Sequence, residues 1–376
     1  MRTNYKAKAW NFWRRHRRKI FVTAGVFGSG YLLYKLYGAY KRRLDVLEGE
    51  LTLQRENEEL IKAQMQAHFE NIQMISDTIT LPHAMHYLSC RIAEDLDLSQ
   101  LLERLIQGKG QPNTLTSSEK LELWDRLKIL SFTRMALSVW ATTMLSLYVK
   151  VQVNILGRLL YIDTARSLGG SNLMENRDIV DREDQQKFLG SVDFLSQYGI
   201  PSLVFGMELA TKEALKGKQL RDFFNSKALH ETIMQILNTF MSRGSPHSWV
   251  KYMMPEAFES PKTASSSSVD PIPSDTIGLD QLMAEARAVL TSAEFGNVVE
   301  ISLKAVLDAL IELMVTKFGG GNLTSGVPLA KLLPQIAHMC PLLFEELSKN
   351  QFIQTIRNLP EVEIFFTLLY ANVPSA

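Results

Sequence analysis

Between Leu121 and Asp163 the chain has no proline and a single glycine, Gly157, and that stretch constrains the fold more than any other. Proline removes a backbone donor and glycine loosens the chain, so their scarcity leaves little to interrupt a helix. Within it, Met135 to Val149 carries no charge. A charge-free run invites a membrane span, but about fifteen residues fall short of the roughly twenty a bilayer requires. Ser138, Thr142, Thr143 and Ser146 also lie inside it. It is read as a central core helix. Val149-Lys150-Val151-Gln152-Val153 alternates like a strand, yet its helical flanks on both sides leave a lone strand no partner.

Helical periodicity recurs along the rest of the chain. Leu44, Leu47, Leu51, Leu60, Ile61, Met65, Phe69 and Ile72 stand among Glu, Gln and Lys in an amphipathic pattern without a strict heptad, so residues 41–80 are expected to form one long juxtamembrane helix. Gly108 to Asn113 reads as a loop, and Thr116-Ser117-Ser118-Glu119 as a capping box that opens the next helix. After a polar region from Ala165 to Asp184, helices are expected across Gln186 to Lys216 and Gln219 to Met241. Further helices follow from Leu279, from Val299 to Met314, from Leu329 to Ser348 and from Gln351 to Leu369. The stretch 260–274, with serines 265–268 and Pro261, Pro271 and Pro273, cannot bury a core and reads as a flexible loop. Gly319, Gly320 and Gly321 stop a helix. No convincing strand pair or βαβ unit is visible, so the expected fold is all-α, a bundle of long helices over 81–376.

One segment lies outside that bundle. From Ile20 to Tyr34 there is no charge, and if Lys35 snorkels, the apolar stretch reaches Tyr40. That gives about 21 residues, enough to span a bilayer. Trp10 and Trp13 on one side and Tyr31, Tyr34, Tyr37 and Tyr40 on the other suit an interfacial belt. A cleaved signal peptide and a buried helix are the competing readings; no small-residue cleavage site follows, and the chain runs into Lys41, Arg42 and Arg43. A transmembrane anchor at 20–40 is therefore expected. It is preceded by a basic segment over 1–19 whose Arg14, Arg15, Arg17, Arg18 and Lys19 form the one strong charge cluster. By the positive-inside rule that cluster would keep the N-terminus cytosolic.

The search for chemistry excludes more than it supports. Lysine and arginine number 41 against 40 for aspartate and glutamate, so the chain lacks the electrostatic footprint of a nucleic-acid binder. Cys90 and Cys340 are distant in sequence and form no CxxC, which argues against a disulfide framework or a thiolate zinc site. His83, His86 and Cys90 could share one helix face, but no fourth ligand is indicated, and no metal or other cofactor is expected. The glycines at 25, 28 and 30 lie within the apolar segment, and those at 319–321 lack a phosphate-binding lysine. Asn322-Leu323-Thr324 satisfies a glycosylation sequon that matters only in a secretory lumen. No nucleophile with its base and no convincing pair of catalytic carboxylates emerges, so neither an enzyme nor a small-molecule substrate is expected.

Specificity comes from Lys120 to Arg134, reading KLELWDRLKILSFTR, and continues through Val151-Gln152-Val153-Asn154-Ile155-Leu156-Gly157 to Tyr161-Ile162-Asp163. Trp10-Asn11-Phe12, His68-Phe69-Glu70, Tyr252-Met253-Met254-Pro255 and Pro328-Leu329-Ala330-Lys331 extend the series along nearly the whole chain. Together these segments resemble the peroxin-3 family of peroxisome biogenesis factors. The resemblance implies a short N-terminal segment in the peroxisomal lumen, one span among peroxisomal membrane lipids, and a helical bundle facing the cytosol. This orientation is opposite to the positive-inside reading, and the basic run becomes a targeting signal. It also implies a partner, the import receptor peroxin-19, which docks through an amphipathic helix near its N-terminus.

The residues themselves offer a place for such a helix. At about 100° per residue Leu123, Leu127 and Leu130 share one face of their helix, while Lys120, Leu121, Trp124 and Lys128 line a neighbouring flank. A tryptophan between lysines suits an apolar helix rimmed by acids, although periodicity alone favours Trp124 as a core residue. With the resemblance, Trp124 becomes the expected centre of the groove, Leu145, Asn154 and Leu160 its neighbours, and Lys331 a rim residue. A membrane-anchored helical enzyme and a coiled-coil tether are the alternatives, disfavoured by the missing catalytic constellation and the imperfect heptads.

Overall fold

A computed structural model of the chain describes residues 81–110, 116–169, 180–255, 278–317, 325–345 and 350–371, together with Leu323 and a scatter of positions between 35 and 80. The expected anchor, the basic segment and the loop 260–274 fall outside these residues, apart from Lys35, Tyr37, Gly38 and Tyr40, which are helical. Met1–Ala67 and His68–Ala376 form two compact units. In the first, the described positions are helical, and Leu44, Leu47, Leu51, Leu53 and Leu60 are exposed.

The second unit is built around one helix. In chain order its helices are α1 (Leu81–Asp95), α2 (Ser99–Gly110), α3 (Ser117–Gly169), α4 (Arg182–Gly190), α5 (Ile200–Ala214), α6 (Ser226–Met241), α7 (Leu279–Leu290), α8 (Ala293–Lys317), α9 (Leu329–Met339), α10 (Gln351–Arg357) and α11 (Pro360–Ala371). At 1.5 Å per residue α3 is about 80 Å long. Every residue from Met135 to Leu159 is buried, because α1, α5, α8, α9 and α11 all pack on this helix. A helix apolar on all sides needs such a jacket. Among the described residues no helix is long and apolar enough to cross a membrane. The hydroxyls of the charge-free run fit a core because they bond back to their own helix: Thr143 Oγ1 donates to Val139 O at 2.8 Å and Ser146 Oγ to Thr142 O at 2.8 Å.

Several expected boundaries shift. The helix expected across Gln186 to Lys216 is broken between α4 and α5 by a 3₁₀ turn at Ser191–Asp193 and a π turn at Leu195–Gly199. Gly199 explains part of this detour: a Cβ there would collide with the carbonyl oxygen of Tyr252, so only glycine lets the two backbones meet. The helix expected from Leu329 to Ser348 gives way at Cys340 to a 3₁₀ turn containing Pro341. The last expected helix divides at Asn358, just before Pro360. Gly108 and Gly110, expected in a loop, are the end of α2.

One correction bears on function. Residues from Gln219 were expected to be helical, but Phe223–Phe224 (β1) pairs antiparallel with Val327–Pro328 (β2), in the register Phe223↔Pro328 and Phe224↔Val327. Helix α6 begins only at Ser226, where the Asn225 side chain accepts the Ala228 N–H at 2.8 Å. An asparagine cap starts a helix at a defined residue, and the two residues before it are released to pair with β2.

Candidate partner-docking site

The first turns of α3 differ from its buried middle. The capping box forms as expected: Thr116 N–H donates to Glu119 Oε2 at 2.7 Å, and Glu119 N–H donates to Thr116 Oγ1 at 3.2 Å. Reciprocal bonds of this kind satisfy two helix-end donors. They also hold the Glu119 carboxyl below its ordinary range, the Thr116 backbone N–H being the largest cause. One turn on, Leu121 is exposed and Trp124 is half-buried, while Leu127 beneath them is buried.

Lys128 departs from its expected place on the rim. It is 8% exposed, and its Nζ donates to Asp125 Oδ1 at 3.0 Å and to the carbonyl oxygen of Lys218 at 2.9 Å. This ammonium is turned inward and ties the segment after α5 to the start of α3. Lys218 in turn donates to Thr232 Oγ1 at 2.9 Å and lies 5.1 Å from the Phe224 ring centre. The Phe224 ring meets Phe132 edge-on at 6.2 Å. The start of α9 joins the same segment, Leu329 N–H donating to Asp222 O at 2.9 Å and Ala330 N–H to Leu220 O at 3.0 Å. Lys331, exposed, follows directly. Lys120, Leu121, Trp124 and Lys128 lie on the first turns of α3, and the segment from Lys218 to Phe224 links Lys128 to the start of α9, which carries Lys331.

Three residues expected beside them lie elsewhere. Leu145 is 0% exposed and Asn154 is 1% exposed, its Nδ2 donating to Lys150 O at 2.7 Å; both belong to the jacketed core. Leu160 is exposed but lies about 50 Å further along the same helix. The same sequence motif continues from the surface into the core, so continuity in sequence is not continuity of surface. A residue with no place among those expected is Phe223, the most exposed large apolar side chain of this region. Its signal was present in the Phe-Phe pair directly before the Asn-Ser cap, where a helix cannot yet have begun.

Among the described residues no group of histidines, cysteines and carboxylates could hold a metal ion. His83, His86 and Cys90 do share an exposed stretch of α1, with His86 Nε2 3.9 Å from Cys90 Sγ. The first turns of α3 present Leu121 and Trp124 with Lys120 beside them.

A sequence profile of the peroxin-3 family matches residues 106–372. The chain belongs to the peroxin-3 family. Peroxisome biogenesis protein 3-2 of Arabidopsis thaliana is 57% identical over 364 residues, covering 96% of this chain and 98% of the relative. Its counterpart 3-1 from the same plant is 56% identical over 362 residues, with the same coverage. Peroxisomal biogenesis factor 3 of Homo sapiens is 27% identical over 384 residues, covering 96% of each chain. Members of the peroxin-3 family are peroxisome biogenesis factors, and this chain, like them, is associated with peroxisomes and is not an enzyme.

Proposed function

We propose that this peroxin-3 protein is the peroxisomal membrane's docking factor for peroxin-19, capturing the receptor's N-terminal amphipathic helix so that the membrane proteins it carries can be inserted. The observation that carries the reading is the half-buried Trp124 beside exposed Leu121, with Lys120 and Lys331 at the edge. Tryptophan offers a large apolar area with few rotors to immobilise, and an amphipathic helix lays its apolar face on such a strip. Cations at the rim favour a helix with acidic flanks and speed its approach. In this reading residues 20–40 are the single membrane anchor, Arg14, Arg15, Arg17, Arg18 and Lys19 form the targeting cluster, and 81–376 faces the cytosol. The anchor is expected to resist alkaline extraction from membranes, since about 21 mainly apolar residues suffice to span.

The deciding experiment titrates a fluorescent peptide of the receptor's N-terminal helix against the full-length chain in detergent micelles, wild type and Trp124→Ala, with thermal melting followed on the same samples. A loss of about thirtyfold in affinity with little change in melting is expected, the signature of a binding hot spot. A large melting loss with unchanged affinity in the folded fraction would show Trp124 to be a core residue and sink the docking reading.

A further inference from the structure

Phe223 is 73% exposed, yet it sits in a rigid frame. It is paired with Pro328, flanked by the two backbone bonds from Leu329 and Ala330, and preceded in space by Gly326, whose φ of +99° turns the chain onto β2. Strand alternation explains its direction: Phe224 is buried against Phe132, so Phe223 is turned to solvent. Isolated apolar residues on a surface are ordinary. This one is distinguished by its place. Phe132, under Phe224, lies about 12 Å beyond Trp124 along α3, close to two turns of any helix laid beside it.

The charges around it point the same way. Lys120, Arg221 and Lys331 are not in ion pairs among the described residues. Among nearby acids Asp125 is paired with Lys128, whereas Asp222, which accepts the Gln219 N–H at 2.7 Å, Glu119, in the capping box, and Glu122 keep their charge. Arg221 and Lys331, both exposed, flank the β1–β2 pair that presents Phe223.

Building on the docking reading above, we infer that Phe223 is a second apolar anchor for the partner helix, so that the helix reaches about two turns past Trp124 with its acidic flank along Arg221 and Lys331. A side chain already held by its backbone loses little freedom on burial, so its apolar area contributes efficiently to affinity. The occupant is thus an amphipathic helix whose apolar residues recur two turns apart, with acids beside the second of them.

The test uses the full-length chain in detergent micelles and three versions of the receptor-helix peptide: intact, and shortened by two turns from either end. Phe223→Ala is expected to weaken the intact peptide about tenfold, with Phe223→Leu recovering much of the loss and melting unchanged in both. One shortened peptide should bind wild type and Phe223→Ala equally while remaining sensitive to Trp124→Ala. If Trp124→Ala abolishes binding but Phe223→Ala and Phe223→Leu stay within about twofold of wild type, the second anchor is overturned and the docking reading survives. If neither position affects binding, both fall.

Discussion

Two tryptophans on one helix have opposite fates. Trp140 is 0% exposed: its indole N–H donates to Met241 Sδ at 3.1 Å, and Phe240 and Trp249 meet it edge-on at 5.6 and 6.4 Å. Trp124, nearer the start of α3, is half-buried beside an exposed leucine and a lysine. Residue type does not separate them, and neither does the helix they share. What differs is the jacket, which closes completely from Met135 and leaves the first turns partly open. The cations follow the same division. Towards the far end Arg158 pairs with Glu285 and donates to Leu369 O, and Lys150 lies 5.6 Å from the Phe366 ring centre, whereas Lys120 lies at the open end.

The sharpest way to break this contrast is to truncate both tryptophans. Trp140→Ala should cost about 3–5 kcal/mol of folding free energy, since it leaves a large cavity and removes the donor to Met241 Sδ. Chemical denaturation would measure this. Trp124→Ala should cost about 2 kcal/mol or more of partner binding and much less folding stability. Equal folding losses at the two sites would erase the distinction between a surface and a core end of α3.

A smaller effect is expected at the far end, where the Arg158 side chain is almost fully buried and Glu285 is partly exposed. Glu285→Ala removes the carboxylate partner of a buried guanidinium that keeps its bond to Leu369 O, at a cost of about 2 kcal/mol once the partial exposure of the carboxylate is allowed for. Partner binding, about 50 Å away along α3, should be untouched. If the peptide affinity changed with it, the two ends would be coupled and the comparison would need a different physical basis.

How much of this was legible beforehand depends on the range of the interaction. Met135 to Val149 announced a core helix because absence of charge over several turns can be read without knowing the neighbours. Thr116 and Glu119 announced their cap because both partners lie within one turn. The break at Gly199 was invisible, because its cause is the backbone of Tyr252, far away in sequence. Leu145 and Asn154 were misplaced for a related reason: which side of a long apolar helix is covered depends on helices contributed by the other end of the chain. For Phe223 the Asn225 cap shows only that the helix has not begun; its two-residue strand has no period of its own and exists only by pairing with Val327 and Pro328.

Lys128 sharpens the distinction between a residue that touches a partner and one that holds the site in shape. Lys128→Met keeps the stem but removes two hydrogen bonds, including the one that fixes the carbonyl of Lys218. A stability loss of about 1 kcal/mol is expected, with weaker peptide binding whose salt dependence stays as in wild type. Lys120→Glu should do the reverse, leaving stability alone while slowing association and flattening its salt dependence. Stopped-flow association at two ionic strengths separates the cases, and identical behaviour of the two variants would return Lys128 to the rim.

The least effect is expected at the capping box, and it asks whether the docking end is pre-ordered before a partner arrives. The Glu119 carboxylate accepts the Thr116 N–H and hydroxyl, at 2.7 and 2.8 Å, and its pKa is lowered mainly by the backbone bond. A carboxyl depressed in the folded state contributes its full stabilisation above its unfolded pKa and loses it as pH falls through the lower folded value. Amide exchange in the first turn of α3 should therefore accelerate relative to the buried middle only below about pH 4, the ordinary range for glutamate. Glu119→Gln should remove that pH dependence while keeping a partial cap, since glutamine can also reach back to the Thr116 N–H. If the first turn exchanges freely at neutral pH in both proteins, the end that carries Leu121 and Trp124 is frayed. The partner helix would then have to order the groove as it binds, in contrast to the fixed frame around Phe223.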